Sequence, residues 1–174
     1  MFQTRLLMTL ALVAGATASA QTPWSANATT AVPLFPSNGV ITTETVDVNP
    51  HGRGVRPRAN VAQPGTGSFL YIPVTAPHKS IMACIAVRAD DPAGGKVIAE
   101  LFKQPRNSVA AGASSVGSVS TVAGGFQFKV SPFAAVVIDY QSFTYYIRLT
   151  LISAAASTAT QPIAFDVSLT QNCG

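Results

Sequence analysis

The chain has 174 residues, about the length of one domain. Only 10% of the residues are charged and 48% are hydrophobic, which excludes an intrinsically disordered chain. The formal net charge of +4 is too small for the dense cationic surface of a nucleic-acid-binding protein. The 13 glycines and 12 prolines exclude a coiled coil, because both residues interrupt helices.

The first twenty residues have the features of a secretory signal peptide. Arg5 precedes an apolar stretch over residues 6–14, and Ala18-Ser19-Ala20 matches a small-x-small cleavage site. Cleavage there starts the mature chain at Gln21. No later stretch approaches the roughly eighteen apolar residues of a membrane-spanning helix. We therefore expect an exported protein, either secreted, periplasmic or at the cell surface.

Residues 21–68 form a segment rich in proline and glycine. The part before residue 39 is predicted to be an extended arm, and β-branched residues alternate over 39–49, which indicates one strand. Residues 50–68 have the highest density of turn formers and are the most loop-like part. The predicted organisation is a signal peptide over 1–20, an arm over 21–68 and a β-sandwich over 69–174.

From residue 69 onward, apolar and polar residues alternate with a period of two, as half-buried strands require. We expect strands within residues 69–72, 81–89, 96–104, 115–122, 126–130, 143–151 and 163–169. Near the end of the chain, one face is predicted to hold Phe143, Tyr145, Ile147, Leu149 and Leu151, with Thr144, Tyr146, Arg148 and Thr150 opposite. In the last strand, Ile163, Phe165, Val167 and Leu169 are predicted to point inward and Ala164 and Asp166 outward. With the strand before residue 50, about seven or eight strands predict an all-β fold, a single antiparallel β-sandwich resembling a jelly roll.

Cys84 and Cys173 are the only cysteines in the chain. In an oxidising compartment we expect them to form one disulfide, which attaches the C-terminus to the strand over 81–89. Two free buried thiols are the alternative. Cys84 shares its strand parity with Met82 and Arg88, so either that face is also covered or a bulge intervenes.

The sequence offers few groups for catalysis. Asp90 and Asp91 form the only adjacent carboxylate pair, and Pro92 follows them, which is typical of a turn. A calcium site is the alternative for this pair, since carboxylates are calcium ligands. His51 and His78 both lie in turn contexts, without a nucleophile motif. We expect no enzymatic activity, no resident metal and no cofactor.

The candidate ligand-binding residues are aromatic and basic side chains. Tyr140 and Tyr146 are candidates because sugar rings stack on aromatic faces, and Arg148 shares the strand parity of Tyr146. Packing at strand ends is the alternative role for these tyrosines. A second group, Arg53, Arg56 and Arg58, is predicted either to contact anionic polymers or to be a solvated loop.

Residues 69–169 resemble small, mostly uncharacterised secreted bacterial β-sandwich proteins. The residues that carry the resemblance are Tyr71-Ile72-Pro73-Val74 with Pro77-His78, then 97–104, 119–121 and 143–151. The resemblance is one of strand and turn positions and contains no active-site motif. It implies a β-sandwich that serves as an accessory or surface domain.

Together these features predict an exported, non-catalytic β-sandwich that contacts a polysaccharide or another cell-envelope polymer, with no nucleic-acid partner and no transmembrane segment in the mature chain. The alternative is a structural subunit that self-associates. In that case residues 21–38 add a strand to the sheet edge of a neighbour and produce oligomers or fibres.

Overall fold

The structure is a computed structural model, and it describes residues 23–33, 46–48, 54–57, 67–91, 95–107, 112–122, 124–153 and 161–174. The predicted signal peptide, Arg53 and Arg58 lie outside these residues. Among the described residues, no helix has the length and apolar character that a bilayer span requires.

Eleven strands are present in the described part of the chain. They are β1 (Trp24–Asn27), β2 (Val32–Pro33), β3 (Val46–Val48), β4 (Val55–Pro57), β5 (Gly67–Pro73), β6 (Ile81–Asp91), β7 (Lys96–Pro105), β8 (Ser114–Ser120), β9 (Gly125–Val137), β10 (Phe143–Ile152) and β11 (Ile163–Thr170). A short 3-10 helix, Ala28–Thr30, follows β1.

The strands form two antiparallel sheets. The six-stranded sheet has the order β3-β4-β11-β6-β9, and β1 also pairs with β11. The five-stranded sheet has the order β2-β5-β10-β7-β8. The predicted all-β antiparallel sandwich with one disulfide is therefore confirmed. The structure has more strands than predicted because β1, β2 and β4 are too short to show an alternating pattern.

Short strands in residues 24–33 pair with the sandwich of the same chain. β1 pairs with β11, placing Trp24 opposite Leu169, and β2 pairs with β5. The Trp24 side chain is buried, and its indole Nε1 donates a hydrogen bond to Thr75 Oγ1 at 3.1 Å.

The core lies between the two sheets and follows the predicted alternation of β10. Ile147, Leu149 and Leu151 are fully buried, whereas Thr144 of the opposite parity is exposed. Burial of one such aliphatic side chain stabilises the fold by about 1.5–3 kcal/mol. The outward parity of β10 is consequently left to form the outer surface of the five-stranded sheet.

Two β-bulges decide which side chains of the six-stranded sheet face outward. The first lies between Met82 and Cys84. Met82 therefore belongs to the core, whereas Cys84 lies on the outward side of β6, the side of Arg88. The second lies between Ala164 and Asp166. Because of this bulge, Ala164 is in the core and Phe165 is only half-buried.

The inward positions predicted for Ile163 and Phe165, and the outward position predicted for Ala164, are therefore wrong. Ile163 and Phe165 are half-buried outside the core cluster, and Ala164 is fully buried within it. A bulge inserts one unpaired residue, which reverses the facing of all positions on one side of it. Val167 and Leu169, beyond the bulge, are buried as predicted.

Cys84 and Cys173 form a disulfide across a sequence separation of 89 residues. Thr170 lies opposite Cys84 in the β11–β6 register, so the bond fixes the C-terminus just after β11. In the chain-entropy account, closing a loop of this length stabilises the fold by about 4–5 kcal/mol.

Candidate functional site

A ladder of three aromatic rings crosses the outer face of the five-stranded sheet. The ring of Tyr146 on β10 lies 5.4 Å from that of Phe102 on β7 and nearly parallel to it, with an angle of 11°. On the other side, the ring of Tyr71 on β5 lies 5.1 Å from Tyr146. Tyr146 is directly opposite Phe102 in the register, so sheet pairing itself fixes the stack. We call these three residues the aromatic ladder.

An ion pair lies beside the aromatic ladder. Arg148 Nη2 is 2.6 Å from Glu100 Oε2, and the two residues are opposite each other in the register. The guanidinium carbon of Arg148 is 4.7 Å from the ring centroid of Phe102 and 5.8 Å from that of Phe69. Phe69 is 43% exposed. Stacking and ion pairing together hold the guanidinium in place and leave its charge balanced by Glu100.

A row of serines continues this face onto the edge strand β8. Ser115, Ser118 and Ser120 lie opposite Phe102, Glu100 and Ile98, and all three serines are exposed. Ser120 Oγ donates a hydrogen bond to the carbonyl of Thr121. The outer face therefore changes from aromatic rings at its centre to hydroxyl groups at its edge.

The hydroxyl group of Tyr146 stays neutral. Burial raises the pKa of Tyr146 above its ordinary value of 10.0, and the nearby phenol of Tyr71 raises it further. At neutral pH the Tyr146 hydroxyl group therefore keeps its proton and both donates and accepts hydrogen bonds.

The structure brings two of the predicted binding residues, Tyr146 and Arg148, together on one face. Tyr140 has another environment: its hydroxyl group donates a hydrogen bond to the carbonyl of Val74 at 2.8 Å, and its ring packs edge-on against Tyr145. Arg56 is half-buried on β4, in the other sheet.

The carboxylates of Asp90 and Asp91 point to opposite sides of β6. Asp91 is fully buried and accepts a hydrogen bond from Thr121 Oγ1 at 3.0 Å, whereas Asp90 is half-buried on the outward parity. Burial raises the pKa of Asp91 above its ordinary value of 3.8. In the described part of the chain, no group of three or more His, Cys, Asp or Glu side chains could hold a metal ion.

Sequence reasoning missed four members of this face, namely Phe69, Tyr71, Glu100 and Phe102. They come from β5 and β7, and only the pairing register shows which of their positions meet Tyr146 and Arg148. A usable signal was the shared parity of Glu100 and Phe102, which puts a carboxylate and an aromatic ring on one side of a strand.

No protein-family model and no curated protein matches the sequence. The fold is similar to that of a family 6 carbohydrate-binding module whose binding sub-sites were dissected by crystallography and calorimetry. The TM-score is 0.50 at 5% identity, over 86% of this chain and 94% of that one. At this identity the likeness shows the fold alone.

Two further structures have TM-scores below 0.5, which is too low a likeness to show a shared fold. The GH26-CBM35 β-(1,4)-mannanase of Podospora anserina matches with a TM-score of 0.41 and 12% identity, over 87% of this chain and 28% of the mannanase. The CBM22-1-CBM22-2 tandem domain of Paenibacillus barcinonensis Xyn10C matches with a TM-score of 0.44 and 19% identity, over 82% of this chain and 50% of the tandem domain. On the TM-score of 0.50 alone, this chain is an antiparallel β-sandwich that shares its fold with the family 6 carbohydrate-binding module.

Proposed function

We propose that the protein is an exported, non-catalytic carbohydrate-binding module and that the face of the aromatic ladder binds the glycan. The observation that carries this proposal is the position of the ladder beside the Arg148–Glu100 pair. A pyranose ring has apolar C–H faces and a rim of hydroxyl groups. Its recognition therefore needs an apolar platform with a few fixed polar groups, which is the composition of most ligand sites.

Each part of the face has a matching role. The rings of Tyr71, Phe102 and Tyr146 supply the apolar surface, Arg148 supplies donors and Glu100 supplies an acceptor. Since the two charges cancel, we propose a neutral glycan as the ligand. The shared fold with a family 6 carbohydrate-binding module supports this proposal.

The geometry favours binding over hydrolysis. Glycoside hydrolysis canonically requires two carboxyl groups that flank the scissile bond. On this face, within the described strands, Glu100 is the single carboxylate, and it is paired with Arg148. Without a second carboxyl group there, we propose that the face holds a sugar and does not cleave it.

Affinity electrophoresis tests the proposal. The mature protein from Gln21 is run through gels that contain xylan, mixed-linkage β-glucan, galactomannan or polygalacturonate. We expect retardation by at least one neutral polysaccharide, and the Tyr146→Ala variant to bind about tenfold more weakly. Val137→Ala removes a 48%-exposed apolar side chain from the other sheet and is the matched control.

Two results contradict the proposal. A wild-type protein that none of the four polysaccharides retards is not a binding module for these glycans. Equal retardation of Tyr146→Ala and wild type, with circular dichroism confirming that both are folded, removes the aromatic ladder from the binding surface.

Export is part of the proposal, and the disulfide supports it because such bonds persist in oxidising compartments. Mass spectrometry of the protein recovered from the medium or the periplasm tests this. A mature chain that begins at Gln21 and carries an intact disulfide is expected. Recovery in the cytoplasm with both thiols free contradicts export.

A further inference from the structure

A cavity opens on the opposite outer face of the molecule, that of the six-stranded sheet. Its volume is about 450 Å³, and it is lined by Asn27 of β1, Arg88 of β6, Phe126 of β9 and Phe165 of β11. Four strands contribute one residue each, so the sheet register builds the cavity. Its size lies within the roughly 300–1,000 Å³ of small-ligand sites.

The cavity is lined by two aromatic and two polar side chains. The ring centroids of Phe126 and Phe165 are 5.8 Å apart, and their planes are inclined by 51°. Arg88 forms an ion pair with Asp166, which lies opposite it in the register, and Asn27 lies opposite Asp166 on the other side. The bulge after Ala164 accounts for the outward position of Phe165.

The edge strand β9 extends this surface with an apolar row. Phe126 is 64% exposed and Phe128 is 62% exposed, while Gln127 and Lys129 between and beside them are half-buried. Edge strands usually present charges outward, because charge prevents association with other chains. A row of exposed phenylalanines in this position indicates a binding surface. Phe128 lies opposite Arg88, so the row borders the cavity.

We infer that this face is a second carbohydrate-binding surface, so that one molecule bridges two polysaccharide chains. The inference rests on the function proposed for the aromatic ladder. It commits to a neutral glycan because aromatic rings again lie beside an Arg–carboxylate pair whose two charges cancel. Asp90, opposite Phe126 in the register, adds a carboxylate to this face, which disfavours an anionic glycan.

The two surfaces are directed away from each other, and this arrangement lets one molecule bridge two polysaccharide chains. Each is the outer face of its own sheet, and packed sheets are about 10 Å apart with their outer faces directed away from each other. One straight stretch of polysaccharide therefore contacts one surface only. A second chain occupies the other surface, and the protein joins them.

Calorimetry with a neutral oligosaccharide counts the surfaces. The probe is a hexasaccharide of the polysaccharide that retards the wild type in the gels. We expect two oligosaccharides per protein molecule for the wild type, and one for Tyr146→Ala or for the double variant Phe126→Ser/Phe128→Ser. The control is Gly112→Ala, which lies outside the strands of both sheets and where an added Cβ has no atom within 4 Å, and it is expected to keep both.

A capture assay then measures bridging. Beads of the insoluble polysaccharide are loaded with protein and exposed to the same polysaccharide in soluble, fluorescent form. We expect the double variant to remain on the beads through the aromatic ladder while its capture of fluorescence falls about tenfold.

The outcomes separate this inference from the function on which it rests. One site in the wild type that persists in Phe126→Ser/Phe128→Ser overturns the second surface and leaves the aromatic ladder in place. Equal capture by wild type and double variant also overturns it. Light scattering without sugar tests the remaining alternative, that this face is a contact between two copies of the chain. A wild-type dimer that the double variant dissociates makes the face a contact between copies and overturns the inference.

Discussion

Both outer faces of the sandwich carry aromatic rings, but the rings are stacked and half-buried on one face and largely exposed on the other. On the five-stranded sheet, the rings of Tyr71, Tyr146 and Phe102 lie on neighbouring strands and are half-buried against each other. On the six-stranded sheet, Phe126 and Phe128 lie on the edge strand β9 and are more than 60% exposed.

The number of neighbouring strands explains this difference. β10 has a paired strand on each side, so a ring on it meets rings from both directions, and stacking fixes its orientation. β9 pairs with β6 alone, and its outward rings have a neighbour on one side. The aromatic ladder therefore contributes to the stability of the folded structure, whereas Phe126 and Phe128 remain mostly exposed and contribute little burial to it.

Removal of the disulfide is expected to have the largest effect and to affect the six-stranded sheet first. Cys84→Ala/Cys173→Ala loses the bond that fixes the end of β11 to β6. We expect the free energy of unfolding to fall by about 2–5 kcal/mol, measured by urea denaturation. Reduced wild-type protein is the control and should match the variant. An unchanged midpoint contradicts the stabilising role of the bond.

The contact between the two edge strands gives the next largest effect. β8 and β9 end their respective sheets, and a Cβ added at Gly117 of β8 lies 2.6 Å from Cβ of Phe133 on β9. We expect Gly117→Ala to destabilise the fold by about 1–3 kcal/mol, measured by thermal or urea denaturation. Gly112→Ala, where a Cβ has no atom within 4 Å, is the matched control. Equal effects of the two variants would show that the sheet edges are not in close contact.

The sequence predicts the inward-facing residues of the five-stranded sheet better than those of the six-stranded sheet. The alternation over β10 correctly assigned Ile147, Leu149 and Leu151 to the core, because this strand is regular and central. The alternation over β11 misassigned Phe165, since a bulge near it changes the parity. A bulge depends on pairing with a distant strand, and a local pattern of residues does not contain that information.

The candidate sites, too, are predictable from sequence only where their residues lie on one regular strand. Tyr146 and Arg148 could be predicted as neighbours because they are two residues apart on one strand. Phe102 and Glu100 required the register between β7 and β10. The cavity on the other face was not predictable at all, because four strands and one bulge assemble it.

The contrast between stacked and exposed rings can be measured directly. Phe102→Leu removes the ring that stacks on Tyr146 and lies under the guanidinium of Arg148. We expect a loss of about 1–2 kcal/mol in unfolding free energy. Phe128→Leu, at a 62%-exposed ring, is the matched variant and is expected to change stability by less than about 0.5 kcal/mol. Similar losses in both variants would contradict the expectation that, of the aromatic rings on the two outer faces, those of the aromatic ladder stabilise the fold and Phe128 does not.

The smallest expected effect is a difference in pH dependence between two carboxylates. Burial raises the pKa of Asp91, at the end of β6, above 3.8. The folded state therefore binds this proton more tightly than the unfolded state, and the resulting stabilisation is fully present below pH 3.8. It is lost as the pH rises through the raised pKa. Asp91→Asn removes this dependence, so its melting temperature should decline less than that of the wild type over the same rise in pH.

Asp139, which precedes β10, provides a control of opposite sign. The hydrogen bond from Ser142 lowers the pKa of Asp139 below 3.8, and the amide of Gln141 and Lys79 act in the same direction. Its stabilisation is present above pH 3.8 and is lost as the pH falls through the lowered pKa. Asp139→Asn should therefore lose stability relative to the wild type at neutral pH and approach it in acid. Identical pH profiles for Asp91→Asn and the wild type would mean that the Asp91 carboxyl is hydrated in the folded protein, and that the junction between β6 and Thr121 is open to water.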